Sequence, residues 1–398
     1  MAIKWIDELE FDFSGKRVFC RFDLNVPLNE DGSIADESRI MAILPTLSLL
    51  MKAGAKVVIA SHLGRPKGKP RAKLSLKVVA IRLQELLKKD LIFAEDCVGD
   101  GVALLSLNLA NGSVLMLENL RFHSGEEKND ADFAKSLLRL ADVYVNDAFG
   151  AVHRGHASVC ALPKLFKVTM GGLLLKKELN AFKKVKNNPE QPFVAILGGA
   201  KVSDKIGVIG QLLQKANKII IGGAMAYTFL KAQGENIGAS RVEEDKITIA
   251  NSILRKAKEK SVKIVLPIDH VVAADFNEKA KAKVIDSGQF AKDEMGLDIG
   301  PKSCEEFAKA IPAFGTIFWN GPMGVYEWEA FSKGTFLLMR AIARSRAYSV
   351  VGGGDSIAAL NKGKMASEIS HVSTGGGAGL EFLEGAKCPG LLALGYEF

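Results

Sequence analysis

Phe193-Val-Ala-Ile-Leu-Gly-Gly-Ala-Lys-Val-Ser-Asp-Lys205 is the stretch from which the rest of this chain is read. Val194 to Leu197 form an apolar run that reads as a buried strand, Gly198 and Gly199 permit a tight turn, and a helical pattern sets in from about Val202. On such a helix Lys201 and Lys205 share one face at the N-terminal end. Backbone N–H groups, the helix dipole and two ammonium groups would then all favour an anion such as a phosphate chain. The segment is not a P-loop, because GxxxxGK[ST] is absent.

Two later segments repeat the scheme. Val350-Val-Gly-Gly-Gly-Asp-Ser356 is an apolar strand and a glycine run, with Asp355 or Ser356 expected to cap a helix over Ile357–Leu360. Asp355 also offers a carboxylate to Mg²⁺. His371-Val-Ser-Thr-Gly-Gly-Gly-Ala378 leads likewise into Leu380-Glu-Phe-Leu383. Three glycine turns at strand ends within one half of the chain point to a crevice built around phosphates.

Outward from these loops the chain alternates strand and helix. Arg17–Phe22, Lys56–Ala60, Val114–Leu117 and Val143–Val145 read as strands in the first half, separated by helical stretches at Ile40–Lys52, Leu76–Lys88 and Asp130–Leu140. The second half continues with strands at 194–197, 218–221, 263–266, 316–319 and 349–351. Continuous β-branched strands alternating with amphipathic helices mean parallel sheets covered by helices on both faces, an α/β chain of two Rossmann-like domains. Leu173–Lys186 is a lysine-rich amphipathic helix, stopped by Asn187-Asn-Pro-Glu-Gln-Pro192, and the domain boundary is expected there.

Composition narrows the function. With 398 residues, 48% hydrophobic and 25% charged, the chain has the make-up of a globular enzyme of two or three domains. No apolar run is long enough to span a membrane, and the acidic start Met1-Ala-Ile-Lys-Trp-Ile-Asp-Glu lacks a signal-peptide core. Five scattered cysteines without CxxC suit reduced thiols in a cytoplasmic setting. The net charge of +8 is spread out with acids interleaved, and the basic run Arg65–Lys73 has no aromatic residues for stacking bases, so a nucleic-acid partner is not expected.

Arginine is the theme of the first half. Asp23 and Asn25 close the first strand in Arg21-Phe-Asp-Leu-Asn-Val-Pro27, two residues apart and expected on one side. Arg39 opens a helix. Ser61-His-Leu-Gly-Arg-Pro66, Asn119-Leu-Arg-Phe-His123 and Ala148-Phe-Gly-Ala-Val-His-Arg-Gly-His156 each follow a strand, at the end where parallel sheets bind ligands. Arg21, Arg39, Arg65, Arg121 and Arg154, with His62, His123, His153 and His156, are thereby expected near one sheet edge. His153 and His156 lack companions at zinc spacing, so an anion site is the better reading, suited to a small phosphorylated carboxylic acid.

Together with Leu117-Glu-Asn-Leu-Arg-Phe122, Gly198–Lys205, Trp319-Asn-Gly-Pro-Met-Gly-Val-Tyr-Glu-Trp-Glu-Ala-Phe331, Gly352-Gly-Gly-Asp355 and His371–Gly377, these motifs resemble those of the phosphoglycerate kinase family, in the family's order over essentially the whole chain. The chain departs at Leu74, where an aromatic is common, at Met323 and Tyr326, and at its final Gly-Tyr-Glu-Phe398.

The resemblance implies a glycolytic and gluconeogenic kinase that passes the acyl phosphate of 1,3-bisphosphoglycerate to MgADP, reversibly, giving 3-phosphoglycerate and ATP. It implies a triose-binding domain over 1–172 with 385–398 packed back on it, a hinge helix and linker at 173–190, and a nucleotide-binding domain over 191–384. By position, Asp23, Asn25, Arg39, His62, Arg65, Arg121 and Arg154 resemble the triose site. Lys201, Lys205, Gly296, Asn320, Glu327, Gly353, Gly354, Asp355 and Ser356 resemble the nucleotide site, with Asp355 near Mg²⁺. Arg39, Lys205, Gly353 and Gly376 match positions regarded as catalytic. A monomer that closes around its substrates, with no nucleic-acid or membrane partner, completes the expectation. A dinucleotide-dependent dehydrogenase is excluded, because Asp-Leu-Asn-Val-Pro rather than GxGxxG follows the first strand. A non-catalytic nucleotide binder would have no use for the arginines of the first half.

Overall fold

The computed structural model describes residues 3–398. These divide into two compact units, one running to Asn180 and including Gly385–Phe398, the other Ala181–Glu384. The helix Leu173–Asn187 begins in the first and ends in the second.

The first unit holds β1 (Arg17–Phe22), β2 (Lys56–Ala60), β3 (Leu91–Phe93), β4 (Val114–Met116), β5 (Val143–Asp147) and β6 (Thr169–Gly171) in one parallel sheet of order β3-β4-β2-β1-β5-β6. The second contains β7 (Phe193–Leu197), β8 (Lys218–Ile221), β9 (Lys263–Val265), β10 (Asp269–Ala273), β11 (Lys283–Asp286), β12 (Met295–Ile299), β13 (Thr316–Asn320), β14 (Tyr348–Gly352) and β15 (His371–Val372). Its main sheet is again parallel and six-stranded, in the order β15-β14-β13-β7-β8-β9. Every residue of β5, β7 and β13 is buried, as strands covered on both faces must be. Val18, Cys20, Val57 and Ile59 centre one core; Ile196, Ile317, Trp319 and Val351 centre the other. Burying one such aliphatic side chain contributes about 1.5–3 kcal/mol, so the strand runs themselves anchor the frame that carries the loops.

Three readings of the sequence need correction. The segment after Gly199 is not helical from Val202: the helix is Ile206–Leu212, with Lys205 as its N-cap residue. The reason lies 40 residues on, where Glu243 accepts from the backbone N–H groups of Val202 and Ser203 and from the Ser203 hydroxyl, holding a turn instead of a first helical turn. Lys201 and Lys205 therefore do not share a helical face. Neither Asp355 nor Ser356 is a cap, because the helix Gly354–Gly363 starts one residue earlier, on Gly353 at φ +95°. Finally, β11-β10-β12 make a separate antiparallel sheet, absent from the all-parallel expectation. Its strands DHVVA, KVID and MGLDI carry charged and glycine residues that mask a strand pattern.

Candidate functional site

Strand order brings the loops of each unit together. In the first sheet β4, β2, β1 and β5 are consecutive, and Arg21 is paired with both Ala60 and Asn146. The four loops leaving their C-terminal ends therefore lie side by side. Hydrogen bonds lock them: Leu24 N–H donates to Ser61 Oγ (2.8 Å), Gly64 N–H to Asn25 Oδ1 (2.8 Å), and Asn119 Nδ2 to Leu63 O (2.7 Å).

Within this corner the cations differ in role. Arg21 is wholly buried and donates to Ser158 Oγ (2.8 Å), whose hydroxyl donates to the buried Glu126 (2.6 Å); it also lies 3.1 Å from His62 Nδ1. Arg21 thus braces the corner from beneath. Arg121, also buried, donates to Gly64 O (2.7 Å) and lies 3.4 Å from Glu127, while its Nη2 has no hydrogen-bond partner. Burial and the neighbouring Arg154 pull its pKa down to about 10. Arg39 opens the helix Ser38–Lys52 and pairs through Nη1 with Asp23. Arg65 is exposed and its side chain makes no ion pair or hydrogen bond among the described residues.

Because Arg21 already donates to it, His62 Nδ1 acts as an acceptor, and burial together with the charges of Arg21, Arg121, Arg154 and Arg39 holds the ring far below its ordinary pKa. His153 and His156 are likewise pushed down, to about 4 and about 3, first by burial and then by the arginines. All three imidazoles are held toward the neutral form, and the four arginines around them outnumber the nearby carboxylates Asp23, Glu126 and Glu127. Such a surplus of positive charge is what an anionic ligand satisfies. Asp23, Asn25, Arg39, His62, Arg121 and Arg154 converge here, with Arg65 on the exposed side of the same loop. His123 does not join them; it pairs with Asp96 instead.

In the second unit β7, β13 and β14 are neighbours, with Leu197 beside Asn320 and Asn320 beside Gly352. Their loops interlock: Gly198 N–H donates to Asn320 O (3.0 Å), Gly199 N–H to Pro322 O (2.9 Å), and Gly321 N–H to Ser356 Oγ (2.7 Å). A Cβ on Gly198 would fall 2.1 Å from Pro322 O, so these backbones approach as only glycine permits. Trp319, fully buried, donates from Nε1 to Gly321 O (2.7 Å) and fixes the loop from the core side.

The result is two adjoining hollows. One, about 210 Å³, is lined by Lys201, Asp204, Lys205, Asn320, Gly353, Gly354, Asp355 and Ser356. The other, about 480 Å³, is walled by Gly296, Leu297, Tyr326, Glu327, Tyr227 and Phe276 among others; Gly199, Ala200 and Asp355 border both. Lys205 is nearly buried, which lowers its pKa against the opposing pull of Asp204 and Asp355. Gly376, at φ +54°, follows β15, the strand beside β14.

Sequence reasoning missed most of the larger wall: Tyr227, Arg241, Phe276, Met295, Leu297 and Asp298. Tyr227 Oη bonds His270 Nδ1 (3.1 Å), and His270 Nε2 meets Ser287 Oγ (2.9 Å), a buried polar relay that no periodicity announces.

One α/β unit thus carries a glycine-walled hollow with a buried lysine, and the other an arginine-ringed corner. Comparison with known proteins gives the family. The family model described as phosphoglycerate kinase matches residues 6–386. The phosphoglycerate kinases of Anaeromyxobacter dehalogenans and Geobacter metallireducens are 52% and 50% identical to this chain, each alignment covering 99% of both chains. The structure of phosphoglycerate kinase from Coxiella burnetii matches with a TM-score of 0.87 at 41% identity over 99% of both chains. That from Pyrococcus horikoshii OT3 matches with a TM-score of 0.82 at 33% identity over 99% of this chain and 98% of the other. The chain belongs to the phosphoglycerate kinase family. Its reaction is the reversible transfer of a phosphoryl group from 1,3-bisphosphoglycerate to ADP, giving 3-phosphoglycerate and ATP, a step of glycolysis.

Proposed function

We propose that the first unit binds the triose substrate through Asp23, Asn25, Arg39, His62, Arg65, Arg121 and Arg154. The second binds the nucleotide through Lys201, Lys205, Gly296, Asn320, Glu327 and Gly353–Ser356. The carrying observation is the corner around buried His62, where Arg21, Arg39, Arg121 and Arg154 converge and where burial first, then these arginines, hold the imidazole far below its ordinary pKa. Phosphate and carboxylate on one small molecule supply the missing negative charge.

On this reading the smaller hollow takes the phosphate chain and the larger one the base and ribose, with Glu327 at the ribose hydroxyls. Asp355, an exposed carboxylate at the edge of the smaller hollow, fits Mg²⁺, which binds through one or two carboxylates plus substrate phosphates. Bound there, the ion would neutralise phosphate charge. The acceptor is a carboxylate in one direction and a nucleotide phosphate in the other, both ionised at neutral pH, so no general base is needed. The depressed His62, His153 and His156 suit that, being weak bases. What remains is orientation and charge neutralisation, with Arg39 and Lys205 facing the transferring phosphoryl and backbone N–H groups at Gly353 and Gly376 assisting. Two substrates held by two units must be brought together for transfer and shielded from water, so hinge closure about the helix Leu173–Asn187 belongs to this reading. Among the described residues no helix is long and apolar enough to cross a membrane, and the five cysteines are buried thiols. The proposed reading is of a cytoplasmic monomer.

Calorimetric titration with 3-phosphoglycerate and with MgADP, on wild type and on Arg121→Ala and Lys205→Ala, tests the assignment. Each variant should lose one ligand and keep the other. Loss of MgADP binding in Arg121→Ala with retained triose binding would reverse it.

A further inference from the structure

We propose that Asp96, Cys97 and His123 form a binding site for a borderline-soft divalent cation of the zinc class, in the first unit and apart from the triose corner. Pairing of β3 with β4 brings together the loops that follow them: Ala94 N–H donates to Met116 O (2.9 Å), so 94–97 runs beside 117–123. A carboxylate oxygen of Asp96, the Cys97 sulfur and a ring nitrogen of His123 thereby lie within 4.8 Å of one another, the one such cluster among the described residues. His123 Nε2 and Asp96 Oδ1 are already 2.6 Å apart.

The second observation is space. All three residues line a hollow of about 980 Å³ that none of the triose-site or nucleotide-site residues enters. A bound ion thus has solvent on its open side. Tetrahedral zinc has bonds of about 2.0–2.3 Å, which places its donor atoms about 3.3–3.7 Å apart. The cluster reaches that with small side-chain movements. One nitrogen, one sulfur and one oxygen, leaving a fourth position for water, match zinc or cobalt and not Mg²⁺, which demands oxygen donors.

The cluster is held ready by its surroundings. Cys97 donates from sulfur to Glu118 O (2.9 Å) and its N–H donates to Asp96 Oδ1 (2.6 Å). The His123 ring packs on Phe133 with centroids 5.1 Å apart. The Asp96 and Glu118 carboxylates line the same hollow and attract a dication. On binding, the Cys97 S–H gives up its proton to solvent and the thiolate takes the metal, so one proton leaves per ion.

The test is a Co²⁺ and Zn²⁺ titration of the chelator-treated full chain. Co²⁺ should give one thiolate-to-cobalt charge-transfer band per chain, unaffected by Mg²⁺, and Zn²⁺ should raise the Tm by mass action. Cys97→Ser should abolish the band, His123→Asn should weaken binding about 10- to 100-fold, and Cys160→Ser should change neither. Circular dichroism confirms that each variant is folded. If no band forms, or if it survives in Cys97→Ser, the site does not exist and the Asp96–His123 pair is an ion pair only.

Discussion

Arg39 offers the sharpest test of the division between transition-state and ground-state binding. Its side chain is 25% exposed and pairs with Asp23, itself only 7% exposed and 4.0 Å from His62 Nδ1. Arg39→Ala therefore does two things at once. On the proposed reading it removes a cation that faces the transferring phosphoryl, comparable to deleting an oxyanion donor, at about 2.7–4 kcal/mol or 10²–10³-fold in kcat. It also unmasks Asp23, which then repels the anionic substrate. At 4 Å in a water-like medium a unit charge pair amounts to about 1 kcal/mol, or about fivefold in KM. Adding Asp23→Asn, which removes the charge but keeps a hydrogen-bonding oxygen for the triose, should recover the KM effect and leave kcat low. Arg39→Lys should rescue partly, because an ammonium lacks the planar fork. Arg65→Ala is the control: exposed and unpaired, it should raise the triose KM with little change in kcat. Steady-state kinetics with 3-phosphoglycerate and ATP varied separately decide the matter. Near-normal kcat in Arg39→Ala, with only a raised KM, would make Arg39 a binding residue and pass its role to Lys205 or the glycine loops.

Gly296→Ala would put a Cβ 1.7 Å from Tyr227 Oη, which His270 and Ser287 hold in place. The overpacking should cost about 1–3 kcal/mol of stability and weaken MgADP binding while triose binding persists, as calorimetry with each ligand would show; unchanged MgADP affinity would put the base elsewhere. Asp355→Asn should keep the fold, since Gly353 and not Asp355 begins that helix, but should shift the Mg²⁺ dependence of activity to higher concentration. An unchanged Mg²⁺ titration would remove Asp355 from the metal. Asp298→Asn addresses pH. Burial raises the Asp298 carboxyl to about 7, although Gly334 and Ile299 N–H groups donate to it. Between about pH 4 and 7 the folded chain keeps a proton that the unfolded chain releases, so this group makes the wild type less stable as pH rises, by up to about 1.4 kcal/mol per unit. Asn does not titrate, so denaturant titrations should show the variant gaining on wild type up to about pH 7; parallel curves would mean that Asp298 is ionised throughout.

What the sequence carried by itself was the frame. Runs such as Phe193–Leu197 and Ile317–Trp319 have no polar face to show water, so they had to become central strands of covered parallel sheets. Parallel strands put their loops at one edge, and so the glycine turns at 198–199, 352–354 and 375–377 and the arginines of the first-half loops could be read from the sequence as candidate ligand loops.

Tertiary structure decided how each loop was used. Val202–Lys205 reads as helix by local preference, yet Glu243 claims its N–H groups and turns it away. Arg21 and Arg65 look alike in sequence; one is sealed against Ser158 and His62 while the other stands in solvent. Asp269, His270 and Asp298 sit in strands that polarity disguises, because their partners Ser303, Tyr227 and Gly334 come from distant segments. His123 sits in an arginine motif but turns to Asp96, whose place depends on β3 pairing with β4. Hydrophobic pattern is written locally, residue by residue. A polar group's role depends on which partner desolvates or satisfies it, and that partner is chosen only when the chain has folded.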